Sequence, residues 1–284
     1  MENAARIAPV LEVKNLVVEF EKKVGGRGIF SKTRTEKFRA VDDISFSVPR
    51  GKTVGLVGES GCGKSTTARA VMRLQAVSSG EILCDGEDFT RFGSAMPLPL
   101  RRKIQMVFQN PYASLNPRQT ISGILSEPLE IHFPEMNARE RAERVAELLE
   151  LVGLSPDFSL RFPHEFSGGQ RQRIAIARAL ATQAELIVCD EPVSALDVSV
   201  QAQIVNLLRE IQAKTGVAYL FVAHDLAVVQ EISDEILVMR RGQIAERGAP
   251  GEVFSRPRHD YTRALLDAVP RIETARRTAR AETA

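Results

Sequence analysis

The chain has 284 residues with 44% hydrophobic content, which is sufficient for one large core or two smaller ones. Its 38 Lys and Arg nearly balance 36 Asp and Glu, so no nucleic-acid partner is expected. The three widely spaced cysteines match no metal-ligand or disulfide pattern, which is typical of a reducing compartment. We recognise no secretory signal and no run of the roughly 20 apolar residues that cross a bilayer, so any membrane association is expected to depend on a partner.

The order of strands and helices predicts the fold class. Alternating apolar and polar residues predict antiparallel strands over 11–20 and 41–49, with the basic stretch 21–38 as the hairpin loop between them. The other predicted strands lie at 52–58, 80–89 (two short strands), 103–109, 185–192, 217–225 and 235–248 (a hairpin), and the predicted helices at 65–74, 137–154, 171–181, 198–216 and 256–271. Strands that alternate with helices predict an α/β fold with a mainly parallel sheet.

A glycine-rich loop, GESGCGKST at 58–66, lies between a predicted strand and a predicted helix and fits the phosphate-loop pattern G-x-x-x-x-G-K-[ST]. Its glycines allow backbone N–H groups to converge on phosphate oxygens, and the helix N-terminus adds partial positive charge. Lys64 is expected to contact the β- and γ-phosphates and Ser65 to ligate Mg²⁺, whereas Cys62 is expected to contribute its backbone only. A glycine-rich connection without a ligand is the alternative. The predicted ATP-binding residues of the loop are Gly58, Glu59, Ser60, Gly61, Cys62, Gly63, Lys64, Ser65 and Thr66.

Polar side chains end three other predicted strands. Asp190 and Glu191 end ELIVCDEP, His224 ends VAYLFVAH, and Gln109 ends KIQMVFQ. Because the carboxyl ends of parallel strands meet at one edge of a sheet, we expect Asp190 and Gln109 near the metal and Glu191 beside an attacking water. His224 is expected to contact the γ-phosphate. The paired carboxylates favour hydrolysis over transfer to a hydroxyl acceptor, and ordinary solvated strand ends are the alternative.

A second glycine loop, FSGGQ at 166–170, begins a predicted helix and is suited to receive a γ-phosphate, although one nucleotide needs only one such loop. Six motifs occur in the order found in ATP-binding-cassette (ABC) ATPases: GESGCGKST, Gln109, FSGGQ, LIVCDEP, SALD at 194–197, and His224. The chain resembles this family over residues 8–255. The resemblance implies a P-loop NTPase ABC nucleotide-binding domain of α/β class, with an antiparallel β subdomain and a helical signature subdomain at about 110–178.

The resemblance also implies roles for the site residues. The catalytic set would be Glu191 as the general base, His224 at the γ-phosphate, and Gln109, while Ser65, Gln109 and Asp190 would support Mg²⁺. In this family two cassettes pair head to tail, so that each ATP lies between the phosphate loop of one chain and the signature of the other. The signature residues that would contact the partner's ATP are Ser167, Gly168, Gly169 and Gln170.

Two further positions are implied only by the resemblance. Asp197 would lie in the D-loop at the interface between the two cassettes and communicate between their sites. Phe20 would stack on the adenine of ATP. A long insert follows Phe20, and Phe166 stands where leucine is common before SGGQ.

Three segments resemble one particular group of ABC ATPases. Those segments, 108–118, 164–180 and 259–270, are similar to ATPases of oligopeptide and dipeptide importers, and in particular to the second, F-type subunit. This implies a second ATPase subunit, with a heterodimer favoured over a homodimer, and an extracytoplasmic substrate-binding protein. It further implies two membrane permease subunits that dock near 110–118, a peripheral position on the cytoplasmic face of the membrane and a C-terminal extension at 256–271. The polar composition of 272–284 predicts a disordered tail.

Several alternatives stay open from the sequence. A soluble ABC ATPase of DNA repair or translation would carry the same motifs, and a P-loop kinase or GTPase would share the phosphate loop but leave SGGQ unexplained. Di- or oligopeptides are the favoured transport substrate, with nickel, glutathione or a modified sugar as alternatives. The excess of Lys and Arg at 21–38 and 271–284 fits solvated segments or contacts with acidic lipid or a partner.

Overall fold

The computed structural model describes residues 8–24, 34–92 and 96–268. The predicted tail at 272–284 and the middle of the basic stretch 21–38 lie outside the described residues. The strands are β1 (Leu11–Val24), β2 (Arg34–Val48), β3 (Thr53–Val57), β4 (Ser79–Cys84), β5 (Glu87–Asp88), β6 (Ile104–Val107), β7 (Leu186–Asp190), β8 (Ala218–Val222), β9 (Glu235–Arg240) and β10 (Gln243–Gly248). The α-helices are α1 (Lys64–Val71), α2 (Leu98–Lys103), α3 (Pro111–Ser114), α4 (Ile121–His132), α5 (Ala138–Leu151), α6 (Gly168–Ala181), α7 (Val198–Thr215), α8 (Leu226–Ile232), α9 (Pro250–Ser255) and α10 (Asp260–Asp267).

The described strands form two sheets. One is antiparallel with the order β2-β1-β4-β5, and the other has the order β10-β9-β3-β8-β7-β6. All neighbours in the second sheet are parallel except the β9–β10 hairpin at its edge. The prediction of an α/β fold with a mainly parallel sheet and a separate antiparallel part is therefore confirmed. The predicted domain boundaries at 8–255, 110–178 and 256–271 remain predictions.

The prediction that 21–38 is a loop is wrong at both of its ends. β1 continues to Val24 and β2 begins at Arg34, so residues on both sides of the insert are paired antiparallel. Glu21 stands opposite Lys37 in this register, and opposite charges on facing strand positions stabilise such pairing. The hairpin itself was predicted, but its strands are longer than the apolar alternation indicates.

The strands of the parallel sheet are buried on both faces, which explains their nearly continuous apolar sequence. In β7, Leu186 and Val188 pack into the core that the parallel sheet shares with the antiparallel sheet and α1. The alternate residues Ile187 and Cys189 pack into a second core, which contains α4, α5, α6 and α7. One strand therefore contributes to two hydrophobic cores.

The segment between β6 and β7 is mostly helical. The helix predicted at 137–154 is confirmed as α5, which begins after a capping box formed by Asn137 and Glu140. α4 was not predicted because Gly123 and Pro128 interrupt its helical pattern, yet Thr120 caps its N-terminus and its apolar face is buried. Within the described ranges, none of the helices combines the length and apolar character that crossing a bilayer requires.

Candidate nucleotide site

The predicted site residues of four strands lie at one edge of the parallel sheet. The glycine loop starts at Gly58 directly after β3, and His224 follows the end of β8 by two residues. Asp190 is the last residue of β7, and Gln109 follows β6 by two residues. Because β3, β8, β7 and β6 are adjacent and parallel, these four positions lie side by side.

The loop from Gly58 to Gly63 needs glycine at both of its ends. Gly63 has a φ of 115°, and a Cβ atom at this position would lie 2.4 Å from the carbonyl oxygen of Ala40. A Cβ atom on Gly58 would lie 2.2 Å from the carbonyl oxygen of Met239. The loop is therefore held against neighbouring backbone at distances that no side chain allows.

Lys64 begins α1 and turns back into the loop. Its side chain is buried, at 4% exposure, and Nζ donates hydrogen bonds to the carbonyl oxygens of Gly58 at 2.7 Å and Glu59 at 2.9 Å. These acceptors are neutral, so the positive charge of the ammonium is available to an anion at the loop. Cys62 is also buried and its Sγ is 3.8 Å from Nζ of Lys64, and its predicted contribution through the backbone only stays a prediction.

Ser65 and Asp190 form a pair of oxygen donors next to the loop. The Ser65 hydroxyl donates a hydrogen bond of 2.8 Å to Oδ1 of Asp190, whose side chain is 4% exposed. Burial raises the pKa of the Asp190 carboxyl, and the hydrogen bond from Ser65 opposes that shift. A hydroxyl and a carboxylate are hard oxygen ligands, which Mg²⁺ prefers, and a cation favours the charged form of a buried carboxylate. The two side chains therefore fit a magnesium ion.

Glu191, which follows β7, contacts side chains from the ends of the neighbouring strands β6 and β8. Its Oε2 accepts a hydrogen bond from Nε2 of Gln109 at 2.9 Å and lies 3.3 Å from Nδ1 of His224. The backbone of Glu191 has a φ of 49°, a left-handed conformation that is uncommon for residues other than glycine and is frequent at functional sites. The contact of Gln109 is with Glu191, so its predicted place in a metal shell with Asp190 stays a prediction.

Two aromatic side chains border the loop. Phe20 on β1 and Phe38 on β2 are register partners, and they are 40% and 56% exposed. Both line a cavity of about 270 Å³ together with residues of the glycine loop and Glu191. Phe38 is not among the predicted site residues, because it lies in the stretch 21–38, for which the sequence pattern predicts a loop.

The second glycine loop forms the N-terminus of α6. Ser167 and Gln170 cap each other: Ser167 Oγ accepts from the Gln170 N–H at 3.3 Å, and Gln170 Oε1 accepts from the Ser167 N–H at 3.0 Å. Gly169 lies close to α7, since a Cβ atom there would be 2.5 Å from Cγ1 of Val200. Of the described residues that line the 270 Å³ cavity, none belongs to Ser167–Gln170. Asp197 is exposed at the start of α7.

The helix α10 also contacts the glycine loop, and the sequence pattern does not predict this contact. The hydroxyl oxygen of Tyr261, on α10, accepts a hydrogen bond of 3.0 Å from the backbone N–H of Glu59. The two residues are 202 positions apart, and the pattern of neither segment indicates the other.

Comparison with known proteins assigns the family. The family model described as ABC transporter matches residues 41–194, and one described as the C-terminal region of oligopeptide/dipeptide transporters matches residues 245–284. The chain is 51% identical over 262 residues to the oligopeptide transport ATP-binding protein OppF of Bacillus subtilis, covering 92% of this chain and 82% of that protein. It is 50% identical over 246 residues to the dipeptide transport ATP-binding protein DppF of Haemophilus influenzae, covering 87% of this chain and 74% of that protein.

A solved structure agrees with this assignment. The ATP-binding cassette MJ0796, in a dimeric post-hydrolysis state bound to ADP and Pi, matches with a TM-score of 0.72 and 27% identity. The match covers 84% of this chain and 98% of the MJ0796 chain. The family resemblance carried by the six motifs is thereby confirmed. The chain belongs to the ABC transporter family and is an ABC-type ATPase that binds ATP.

Proposed function

We propose that this ATPase energises the import of dipeptides or oligopeptides. The observation that carries the hydrolytic part is the convergence of Gln109 and His224 on Oε2 of Glu191, beside the Ser65–Asp190 pair. The relatives named above are ATP-binding proteins of oligopeptide and dipeptide transport, which supports the substrate class. The match to the C-terminal region of such transporters supports it independently of the ATPase motifs.

The loop from Gly58 to Thr66 binds the phosphates of ATP in this proposal, with Lys64 at the β- and γ-phosphates. Ser65, Asp190 and Gln109 would hold Mg²⁺, which would neutralise negative charge on the phosphates. Phe20 stacks on the adenine, and Phe38 is a second aromatic ring at the same cavity.

Glu191 acts as the general base. Its Oε2 is hydrogen-bonded to Gln109, so the carboxylate is held in one orientation and Oε1 can accept the proton of the attacking water. His224, whose ring is 57% exposed, is accessible to the γ-phosphate side of the site. The roles of these two residues are supported by their position at the ends of β7 and β8.

A second ATPase subunit completes the site. The exposure of Ser167, and its position away from the cavity at this chain's own phosphate loop, support a contact with ATP in trans. Gly168, Gly169 and Gln170 take part in this contact, and Asp197 lies at the interface. A heterodimer is the proposed arrangement, and a homodimer is the alternative.

Two permease subunits dock near 110–118 on the cytoplasmic side of the membrane, and an extracytoplasmic protein delivers the substrate. Beside this segment lies a cavity of about 320 Å³ whose lining includes the exposed side chains Leu74, Phe108 and Ile131. Within the segment, the carbonyl oxygen of Ser114 accepts a hydrogen bond of 2.5 Å from Nη1 of Arg178 on α6. The helix that begins with the signature is thus in direct contact with the proposed docking segment.

The test is purification of the tagged chain from gently solubilised native membranes, followed by mass spectrometry. We expect two multi-span proteins and a second cassette ATPase, and we expect peptides together with the binding protein to stimulate ATP hydrolysis after reconstitution into vesicles. Recovery of ribosomes or DNA-repair factors in place of permeases would support the soluble alternative and contradict the transport proposal.

A further inference from the structure

The helix α10 contacts the phosphate loop through a buried side chain. Tyr261 is 7% exposed, and its hydroxyl oxygen accepts a hydrogen bond of 3.0 Å from the backbone N–H of Glu59. A backbone N–H of a phosphate-binding loop is thus satisfied by a residue outside the ATPase motifs. The hydrogen bond is part-buried, and an N–H that is partly shielded from water is costly to leave unpaired, so this contact contributes to the conformation of the loop.

The peptide group that Tyr261 contacts is also the one that Lys64 contacts. The carbonyl oxygen of Gly58 and the N–H of Glu59 belong to one planar peptide unit. Its oxygen accepts from Nζ of Lys64 at 2.7 Å, and its N–H donates to the Tyr261 hydroxyl. If Lys64 turns toward a bound phosphate, it releases the oxygen, and the Tyr261 hydroxyl remains to fix the orientation of this peptide.

Tyr261 is itself held in place from three directions. The Glu246 carboxylate on β10 accepts hydrogen bonds from the backbone N–H groups of Arg258 at 2.8 Å and His259 at 3.0 Å, which attaches the start of α10 to the sheet. Nδ1 of His259 accepts from the Tyr261 N–H at 3.0 Å. The guanidinium of Arg240, at the end of β9, lies 5.0 Å from the centre of the Tyr261 ring.

The turn after β9 contacts the same loop. The N–H of Gly242 donates a hydrogen bond of 2.8 Å to the carbonyl oxygen of Cys62. Together with Tyr261, Glu59 and Arg240, these residues line a cavity of about 420 Å³ next to the loop. The C-terminal part of the chain therefore supports the phosphate loop at both its first and its second half.

We propose that Tyr261 is a positioning residue for nucleotide binding, which holds the Gly58–Glu59 peptide and couples the C-terminal extension to the affinity for ATP. The proposal rests on the proposed role of the phosphate loop. If only a fraction of the population has the loop in its binding-competent conformation, the apparent affinity falls to that fraction of its intrinsic value. Linkage requires the reverse effect as well, so that bound ATP stabilises α10 on the loop.

The test is Tyr261→Phe, which removes the hydroxyl and keeps the ring against Arg240. We expect the Kd for MgATP of the full chain, and KM in the assembled transporter, to rise about two- to tenfold, as the loss of one hydrogen bond allows. kcat is expected to be unchanged, because the side chain does not contact the reacting atoms. Amide hydrogen exchange of a peptide that covers Glu59 is expected to accelerate in the variant.

Tyr219→Phe is the matched control. Tyr219 is fully buried on β8, and its hydroxyl donates a hydrogen bond of 3.1 Å to the carbonyl oxygen of Leu208, away from the loop. This variant is expected to lose thermal stability without a change in the Kd for MgATP. The proposal is overturned if Tyr261→Phe keeps the wild-type Kd and exchange rate, or if both variants raise the Kd equally.

Lys64→Ala distinguishes a wrong assignment of the phosphate loop from a wrong inference about Tyr261. If Lys64→Ala leaves MgATP binding intact, the assignment of the phosphate loop itself is wrong. If Lys64→Ala abolishes binding and Tyr261→Phe has no effect, the loop assignment stands and the inference about Tyr261 is overturned. In the wild type, MgATP is expected to slow hydrogen exchange over residues 259–268, and this protection is expected to diminish in Tyr261→Phe.

Discussion

The side-chain amide of Gln109 donates a hydrogen bond of 2.9 Å to Oε2 of Glu191, although 82 residues separate the two in sequence. Gln109 leads into the helical segment after β6, whereas Glu191 directly follows β7, the strand of the acidic motif. Any displacement of the helical segment relative to the sheet therefore changes the surroundings of the proposed general base. The contact gives a direct route from the proposed docking segment at 110–118 to the chemistry.

Glu191→Gln is expected to retain ATP binding and to lose hydrolysis by about 100- to 10,000-fold, because an amide of the same shape cannot accept the proton of water. Binding of MgATP and steady-state phosphate release are the two measurements. The variant is also expected to accumulate as a closed dimer in the presence of ATP. Phosphate release close to the wild-type rate would remove Glu191 from the role of base.

Ser167→Arg is expected to block hydrolysis in the assembled pair of cassettes while this chain still binds ATP at its own loop. The bulky cation would obstruct the partner's nucleotide, whereas residue 167 does not line the cavity at the Gly58–Thr66 loop. Ser167→Ala is the matched control, because it also loses the N-cap of α6, at a cost of about 1 kcal/mol, without adding bulk. Loss of ATP binding by the isolated Ser167→Arg chain would indicate that the signature acts in cis.

Phe20→Ala and Phe38→Ala are expected to weaken ATP binding by about 1 to 3 kcal/mol each, the amount that stacking of a base on an aromatic ring contributes. The affinity for inorganic tripolyphosphate is the internal control, since it has no base to stack. Both affinities are measured by calorimetry on the same preparations. An equal loss for tripolyphosphate would show that the substitutions disturb the phosphate loop and not a base contact.

Asp85→Asn is expected to destabilise the fold at pH 7 by about 1 kcal/mol, with the loss disappearing in acid. Asp85 accepts a hydrogen bond of 2.8 Å from Lys103 and is paired with Arg50, and these contacts hold the pKa of its carboxyl below the usual 3.8. A lowered pKa contributes stability that is present above the unfolded value and is lost as pH falls through the folded value.

Asparagine also tolerates the positive φ of 52° at position 85, so the turn itself is preserved. Urea unfolding of wild type and variant at pH 7 and at pH 3 measures the difference. A difference that persists unchanged into acid would place the effect in the turn and not in the ion pairs.

The sequence was sufficient for the parts of the site that depend on local pattern. Gly58 and Lys64 follow a short apolar strand and precede a helix, and Asp190 ends an apolar run, so the parallel sheet and its ligand edge could be predicted without long-range information. Phe38 could not be placed, because its position opposite Phe20 depends on the register of two strands joined across a long insert.

Other features depend on contacts that no local pattern encodes. Tyr261 belongs to an amphipathic helix whose buried face could pack on many surfaces, and its contact with Glu59 becomes visible only in the folded chain. The hydrogen bond of Gln109 to Glu191 likewise follows from the orientation of two side chains and not from the strand ends alone. The order of motifs predicts that Gln109 and Glu191 belong to the site, but it does not predict the hydrogen bond between them.

Because the side chains of β7 alternate between two cores, the position of this strand along the sheet is fixed, and with it the position of Asp190. A shift of this strand by one residue would move Asp190 by about 3.3 Å and would exchange every apolar side chain of the strand between the two cores. Val188 and Cys189 therefore oppose such a shift from opposite faces of the sheet. Substitutions there that change side-chain volume would alter the spacing between the Asp190 carboxylate and Ser65 before they unfold the protein, so turnover would be a more sensitive measure of packing in this strand than melting temperature.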